Sequence, residues 1–473
     1  MRTMMTYLHK CVIFFYCIIM AASLVPGNYK VVEGASSSVA LFQQIPTNTA
    51  VQNFKYIAHR PKSELSSSSS ILEFTVDSAN SYIDLSKTAL YVKCKIVDSN
   101  NVAVPSGENV AIVNNSLGSI FNQVDVAIQG RPITKLATNV YCIKSYLDLI
   151  LHSGDDKLET YAITRGYIKE PGEYMEDLYA VRPKELTDEE ASKLHFYRNA
   201  SLYERYKYTA NGRSWEMEGP LNVDLFNTPH YLLSNTVLSV KLWPANDNFR
   251  IISPNVDRGY RVVIEDAHLK LAHVDLIPEI VFAHEESLAK SPALYPYYDS
   301  VFKIGTASKD NSSFSCDNLF SSTVPSKIFV MLVSAEAYNG NYRMNPFFFT
   351  HANIASMNLR VDGYSLPAGK PYQTDFASNQ CIEPYANLFK VLKFWGRNES
   401  CDIPFQDFMN GYTIFAFDTD SHDFSQNFLP GFKTGLVSLD ISFAKPLPCA
   451  MTVIAYGRIP KCISIDKARN VTV

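Results

Sequence analysis

The sequence predicts an all-β chain folded as two tandem β-sandwiches with few short helices. Three observations carry this expectation. Tyr and Phe number 28 each and are interspersed with β-branched residues, 24 Pro and 20 Gly, a mixture that favours short strands broken by turns. Apolar residues recur with period two in one segment after another, the mark of a strand with one buried face. A local pattern from the first half of the chain also returns in the second.

Length and charge set further bounds. At 473 residues the chain is too long for one ordinary domain and suits two or three. Hydrophobic residues make up 47% and charged residues 19%, a globular composition. The formal net charge is -4 with no basic block. The electrostatic footprint of a nucleic-acid-binding protein is missing, so direct genome binding is not expected.

In chain order, residues 1–25 form an apolar leader. Arg2, His9 and Lys10 precede an apolar run from Cys11 to Val25 that includes the small residues Ala21, Ala22 and Ser23, and Pro26-Gly27 ends it. This is the layout of a secretory signal peptide, and it is short for a membrane span of about 20 apolar residues. Two readings stay open, a signal for the secretory path or an upstream extension of the gene. Residues 26–70 read as a linker or N-terminal arm, Gly/Ser-rich at Gly34 to Ser38 and again polar at Ser66 to Ser70.

Residues 71–275 read as the first sandwich. Ile71 to Val76 is a short β run. Leu90, Val92, Cys94 and Ile96 alternate with Tyr91, Lys93 and Lys95, and Val124, Val126 and Ile128 alternate with Asp125 and Ala127 before a Gln129-Gly130 turn. Val237 to Leu242 behaves likewise, and Tyr260 to Val274 reads as a long strand with an irregularity near Asp266. Thr187 and Glu190 form a capping box that predicts a short helix at Ala191 to Leu194. Residues 155–213 form an insertion rich in charge and tyrosine, either solvated or, the favoured reading, packed against a neighbouring subunit.

Residues 276–290 read as a helix or irregular connector, and residues 291–473 as the second sandwich. Its strand candidates are Val301 to Ile304, Lys327 to Val333, Met357 to Val361, Tyr412 to Phe417, Leu436 to Phe443 and Met451 to Tyr456. The repeat links the halves. VDVAIQGRPI (Val124 to Ile133) precedes Tyr146-Leu147-Asp148-Leu149-Ile150, and MNLRVDGYSLP (Met357 to Pro367) precedes Tyr385-Ala386-Asn387-Leu388-Phe389. Each is a strand, a glycine turn, a second extended segment and a Tyr-x-x-Leu-apolar piece. The shared glycine fits a turn position that needs positive φ.

Little in the sequence suggests chemistry. No GxGxxG, Walker, HExxH or GxSxG motif occurs. His268 and His273 lie five apart on one expected strand, face opposite sides and cannot share a metal. The stretch Asp418 to Asp423 alternates carboxylates, but it carries His422 and Asp423 where an EF-hand needs Asp or Asn and Gly, so it reads as an acidic surface loop. Beyond the leader, Cys94, Cys142, Cys316, Cys381, Cys401, Cys449 and Cys462 are scattered without a CxxC pair. They read as reduced, buried thiols and not as zinc ligands or a disulfide framework. No catalytic residue, cofactor, metal or small-molecule substrate is expected. Asn114, Asn199, Asn311, Asn398 and Asn470 stand in Asn-x-Ser/Thr sequons and become glycosylation sites only if the chain is secreted.

Six stretches stand in order along the chain: EFTVDSANSYIDLSKTALYVKCKI (Glu73 to Ile96), SLGSIFNQVDVAIQG (Ser116 to Gly130), YNGNYRMNPFFFTHANI (Tyr338 to Ile354), LRVDGYSLP (Leu359 to Pro367), NGYTIFAFD (Asn410 to Asp418) and ISIDKARNV (Ile463 to Val471). Through them the chain, from about Leu41 onward, resembles the hexon-like major capsid proteins of Polinton (Maverick) elements and adintoviruses, which also occur as uncharacterised endogenous copies in animal genomes. The resemblance implies that the sandwiches are jelly rolls, a double jelly roll. It further implies a homotrimeric, pseudo-hexagonal capsomer in an icosahedral shell with a separate penton protein, located in the virion and in the host nucleus or cytoplasm. It carries no catalytic or cofactor residues. The leader and the 155–213 insertion depart from the family pattern. The competing expectation is a secreted or surface β-sandwich binding protein repurposed from an endogenous viral copy. That reading would use the leader and the sequons.

Overall fold

The computed structural model describes residues 47–63, 65, 71–134, 140–182, 196–420 and 431–473, together with Ser38 and Glu189. The chain divides into two units, Met1–Thr49 and Ala50–Val473, and the strands lie in the second. The leader, the Ser66 to Ser70 tract, and Thr187 and Glu190 of the expected capping box lie outside the described residues.

The first half contains β1 (Val51–His59), β2 (Leu72–Asp77), β3 (Tyr82–Val97), β4 (Ala111–Ile112), β5 (Phe121–Ile128), β6 (Arg131–Pro132), β7 (Trp215–Pro220), β8 (Val237–Pro244), β9 (Ile251–Ile252) and β10 (Arg261–Leu276). The second half contains β11 (Ala293–Ala307), β12 (Ser313–Phe320), β13 (Lys327–Ser334), β14 (Ile354–Val361), β15 (Tyr364–Leu366), β16 (Tyr372–Gln373), β17 (Phe415–Asp418), β18 (Val437–Phe443), β19 (Met451–Ile465) and β20 (Val471–Thr472). Helix Pro278–Leu288 lies between the halves, inside the stretch read as a connector.

Sheet order shows the architecture. In the first half β1-β10-β3-β7 form one sheet and β2-β8-β5-β6 the other. In the second half the sheets run β11-β19-β13-β17 and β12-β18-β14-β15. Leaving out the short accessory strands β4, β9, β16 and β20, both halves follow one rule. The first, eighth, third and sixth strands make one sheet, and the second, seventh, fourth and fifth make the other. Eight antiparallel strands in this order are a jelly roll, so the chain folds as two jelly rolls in tandem.

Local chemistry explains the pairing. On β3, Leu90, Val92, Cys94 and Ile96 are buried and the residues between them are partly exposed, as period-two burial requires. β10 pairs with β3 but slips in register between Ile264 and Asp266. Glu265 and Asp266 interrupt the apolar alternation there, and a bulge places them on the wet side. The two repeats end in matching hairpins. Gln129 and Gly130 (φ 50° and 72°) join β5 to β6, and Asp362 and Gly363 (φ 48° and 85°) join β14 to β15. Two consecutive positive-φ residues make a type I′ turn, whose twist matches that of the strands.

One expectation is corrected. Residues 51–59, read as part of an arm, form β1 and pair with β10 along its length. The strand escaped notice because Phe54 and Tyr56 are both exposed and no buried face marks it. The Tyr-x-x-Leu pieces of the repeat are helical, in Val140–Leu151 and Ile382–Val391. Within the described part of the 155–213 segment, Tyr167, Met175, Leu202 and Arg205 are buried, while Tyr161, Tyr197 and Tyr208 are exposed.

Candidate assembly surfaces

Among the described residues, no group of three or more His, Cys, Asp or Glu is placed to hold a metal. A mostly apolar groove of about 450 Å³ lies beside helix Pro278–Leu288, lined by Tyr82, His230, Leu233, His284, Ser287 and Tyr295 among others. Its polar groups are already occupied. Tyr82 Oη sits 3.0 Å from His284 Nδ1, His230 Nδ1 sits 3.0 Å from the Leu294 carbonyl, and Ser287 Oγ donates to the Ala283 carbonyl.

The acidic stretch is also neutralised where it is described. Asp418 meets Lys393 at 3.3 Å and Asp420 meets Lys433 at 3.7 Å, while residues 421–430 lie outside the described set. The cysteines divide by burial. Cys94, Cys142, Cys381 and Cys401 are buried, and burial pushes the thiols of Cys94, Cys142 and Cys401 up to about 12. Cys449 and Cys462 are exposed, which corrects their reading as buried. His268 stacks on Tyr91 at 4.4 Å, and His273 meets His59, Nε2 to Nε2, at 3.4 Å. The two histidines singled out in the sequence thus have separate environments.

Two of the five sequons are closed. Asn114 is fully buried, its amide donating to the Ile168 carbonyl at 2.6 Å and its Oδ1 accepting from Ile168 N at 3.0 Å. Asn199 is 3% exposed and caps helix Ala200–Thr209, accepting from Leu202 N. A folded chain cannot offer either amide to a glycan. Asn311, Asn398 and Asn470 are exposed.

The densest polar chemistry lies where the rolls meet. The segment after β6 carries Glu170, which is fully buried and pairs with buried Arg205 at 3.0 Å. Its other oxygen accepts from Asn345 Nδ2 of the second roll at 3.1 Å, and its carbonyl accepts from Tyr412 Oη at 3.0 Å. Lys169 pairs with Asp402, and Asp407 accepts from Gly172 N at 3.1 Å. A second hub centres on Lys144, buried to 1%. It pairs with Asp148 at 2.5 Å and Asp224 at 3.0 Å. Burial opposes its charge, but the two carboxylates outweigh that penalty and hold its pKa above the ordinary lysine value. Asp224 in turn accepts from Ser300 N of β11 at 2.9 Å. Around these hubs, Tyr146 stacks on Phe347 at 4.1 Å, and one apolar cluster holds both Tyr146 and Leu147 of the first half and Phe329 to Val333 of β13. Sequence reading missed both hubs, because their partners are scattered over roughly half the chain.

This arrangement, a double jelly roll with a packed junction, is the fold that viral major capsid proteins share. No family model matches the chain. A chain of the Sputnik virophage superposes with a TM-score of 0.61 at 12% identity, covering 94% of this chain and 93% of that one. The Faustovirus major capsid protein gives 0.53 at 9% identity over 90% and 92%, and the mavirus major capsid protein gives 0.51 at 10% identity over 95% and 96%. Among curated proteins, the uncharacterized protein F54H12.2 of Caenorhabditis elegans is 23% identical over 437 residues, covering 90% of this chain and 98% of that relative.

Proposed function

We propose that this chain is a structural subunit of an icosahedral viral or virus-derived capsid and that it is not an enzyme. It assembles as trimers of pseudo-hexagonal outline, and the finished shell draws on a separate penton protein. The observation that carries this reading is the repetition of one strand order in two rolls that share an apolar cluster at their junction. Three such chains present six similar lobes. A heterologous contact between lobes closes into a ring when its rotation allows. The division into a first roll at 71–275, a connector at 276–290 and a second roll at 291–473 belongs to this proposal, with β1 added to the first roll. The sequence likeness to Polinton and adintovirus proteins and the nematode relative fit an endogenous copy of such a gene.

The test is the solution mass of the full chain by light scattering after size exclusion, with electron microscopy of the peak. A trimer with a six-lobed outline is expected. A stable monomer at micromolar concentration overturns the capsomer reading and favours a secreted binding protein. In that case Asn311, Asn398 and Asn470 would carry glycans and Asn114 and Asn199 would not.

A further inference from the structure

The two rolls share a topology but not an environment. Helix Val140–Leu151, which follows the first I′ hairpin, is buried at every position except Asp148. Helix Ile382–Val391 follows the second I′ hairpin at the same place in chain order, but it packs on β17 where the first helix packs on β5, and only Pro384, Leu388 and Val391 are buried. Ile382 is 58% exposed and nearby Trp395 is 62% exposed, the latter capped only by Lys390 Nζ at 5.0 Å from its ring. The first helix is covered because the second roll lies against it, through Phe347 on Tyr146 and Tyr456 Oη near Asp148.

The sheets show the converse. In the second roll β13 is buried on both faces from Lys327 to Val333, and Phe329 and Tyr456 stack across β13 and β19 at 5.7 Å. In the first roll the same pair of strands, β3 and β10, alternates between buried and partly exposed residues. An aromatic pair on these corresponding strands, Tyr91 on His268, stays partly exposed. Among the described residues, the second roll thus has a helix with no roll over it, and the first roll has a sheet face with no helix under it.

We propose that these two surfaces meet between copies. The helix Ile382–Val391 and Trp395 of one chain cover the Tyr91–His268 face of β3 and β10 in the next, repeating between chains the contact that joins the rolls within one. The occupant is therefore a second copy of this chain, in a head-to-tail contact that uses a different patch on each partner. This rests on the capsid-subunit reading and adds to it the two patches and their polarity.

The test uses the full chain and two folded variants. Ile382→Arg with Trp395→Arg charges the helix patch at side chains that are already exposed. Tyr91→Arg charges the sheet patch at a partly exposed position, opposite Glu218 of β7 in register, which also pairs with Lys270 at 2.7 Å. Each variant is expected to run as a monomer with an unchanged unfolding midpoint, while Phe282→Arg on the 73% exposed position of the inter-roll helix leaves the trimer intact. An equimolar mixture of the two variants is expected to form heterodimers, because each retains the patch that the other has lost, and to stop there because the ring cannot close. Variants that remain trimers overturn this inference and leave the capsomer reading standing. Two monomeric variants that give no heterodimer overturn the head-to-tail contact. A monomeric wild-type chain removes the capsomer reading, and this inference with it.

Discussion

At the level of single residues, the junction hubs dominate. Arg205 is buried beside Glu170, whose remaining partners are the neutral amides of Asn199 and Asn345. Removing the cation leaves a carboxylate in a dry site, which costs about 3–5 kcal/mol. Arg205→Met is therefore expected to lower the denaturant midpoint by that equivalent, with loss of near-ultraviolet signal from the aromatic junction; an unchanged midpoint would mean that water reaches Glu170. The His59–His273 pair has a pH signature. Burial lowers the pKa of both from 6.5, and each lies near another cation, His273 beside His59 and Lys55 beside His273. Both rings stay neutral in the folded chain where the unfolded chain would take up protons. The unfolded state thus binds more protons below about pH 6.5, and stability falls as the pH drops below that value. Unfolding midpoints compared at pH 7.5 and 5.0 should show a smaller acid loss in His59→Gln than in the wild type. An equal loss assigns the acid sensitivity elsewhere.

At the level of elements, turn chemistry and burial periodicity decide what can be read in advance. The I′ hairpins need positive φ at Gly130 and Gly363, where a side chain costs roughly 1–2 kcal/mol. Neither Cβ would meet a neighbour within 4 Å, so Gly363→Ala isolates the backbone cost. It should lower the unfolding midpoint by that modest amount without altering assembly, and a larger effect would point to a second role for the turn. These hairpins, the alternating half of β3 and the irregularity at Asp266 were legible because a strand with one wet face writes its geometry into alternate residues. Helix Val140–Leu151 was missed. Its polar residues Lys144, Ser145 and Asp148 do recur at helical spacing, but they are closed into the buried junction, and the two Tyr-x-x-Leu pieces read only as a repeat and not as a helical period. β1 was missed because it has no buried stripe. The hubs at Glu170 and Lys144 were illegible because a charged residue in sequence looks solvated until its distant partners are known.

At the level of the whole molecule, the chain is one roll written twice, with the second copy covering the first. Each surface that is covered in one roll and bare in the other marks where a single chain leaves the pattern unfinished. Near-neutral charge, with a formal net of -4, lets such surfaces approach without strong repulsion. The charges on the Tyr91–His268 face are already paired within one chain, Lys93 with Glu216, Lys95 with Glu265 and Lys270 with Glu218, so assembly through the aromatic and aliphatic groups between them should survive a rise in salt. The expected outcome is a trimer that persists from 50 mM to 500 mM sodium chloride. Dissociation at the upper end would show that ion pairs carry the contact.

The Glu170 hub also sets a schedule for synthesis. Its carbonyl waits for Tyr412, 242 residues later in the chain, and Lys169 waits for Asp402, 233 residues later. A ribosome adding about 5–20 residues per second needs roughly 12–50 s to deliver those partners. During that interval the first roll carries an unclosed charged segment and the bare flank of helix Val140–Leu151. The nascent chain is thus most exposed to misassembly while its second half is still being made, and a neighbouring nascent chain, with the same second roll already complete, could supply the missing cover first.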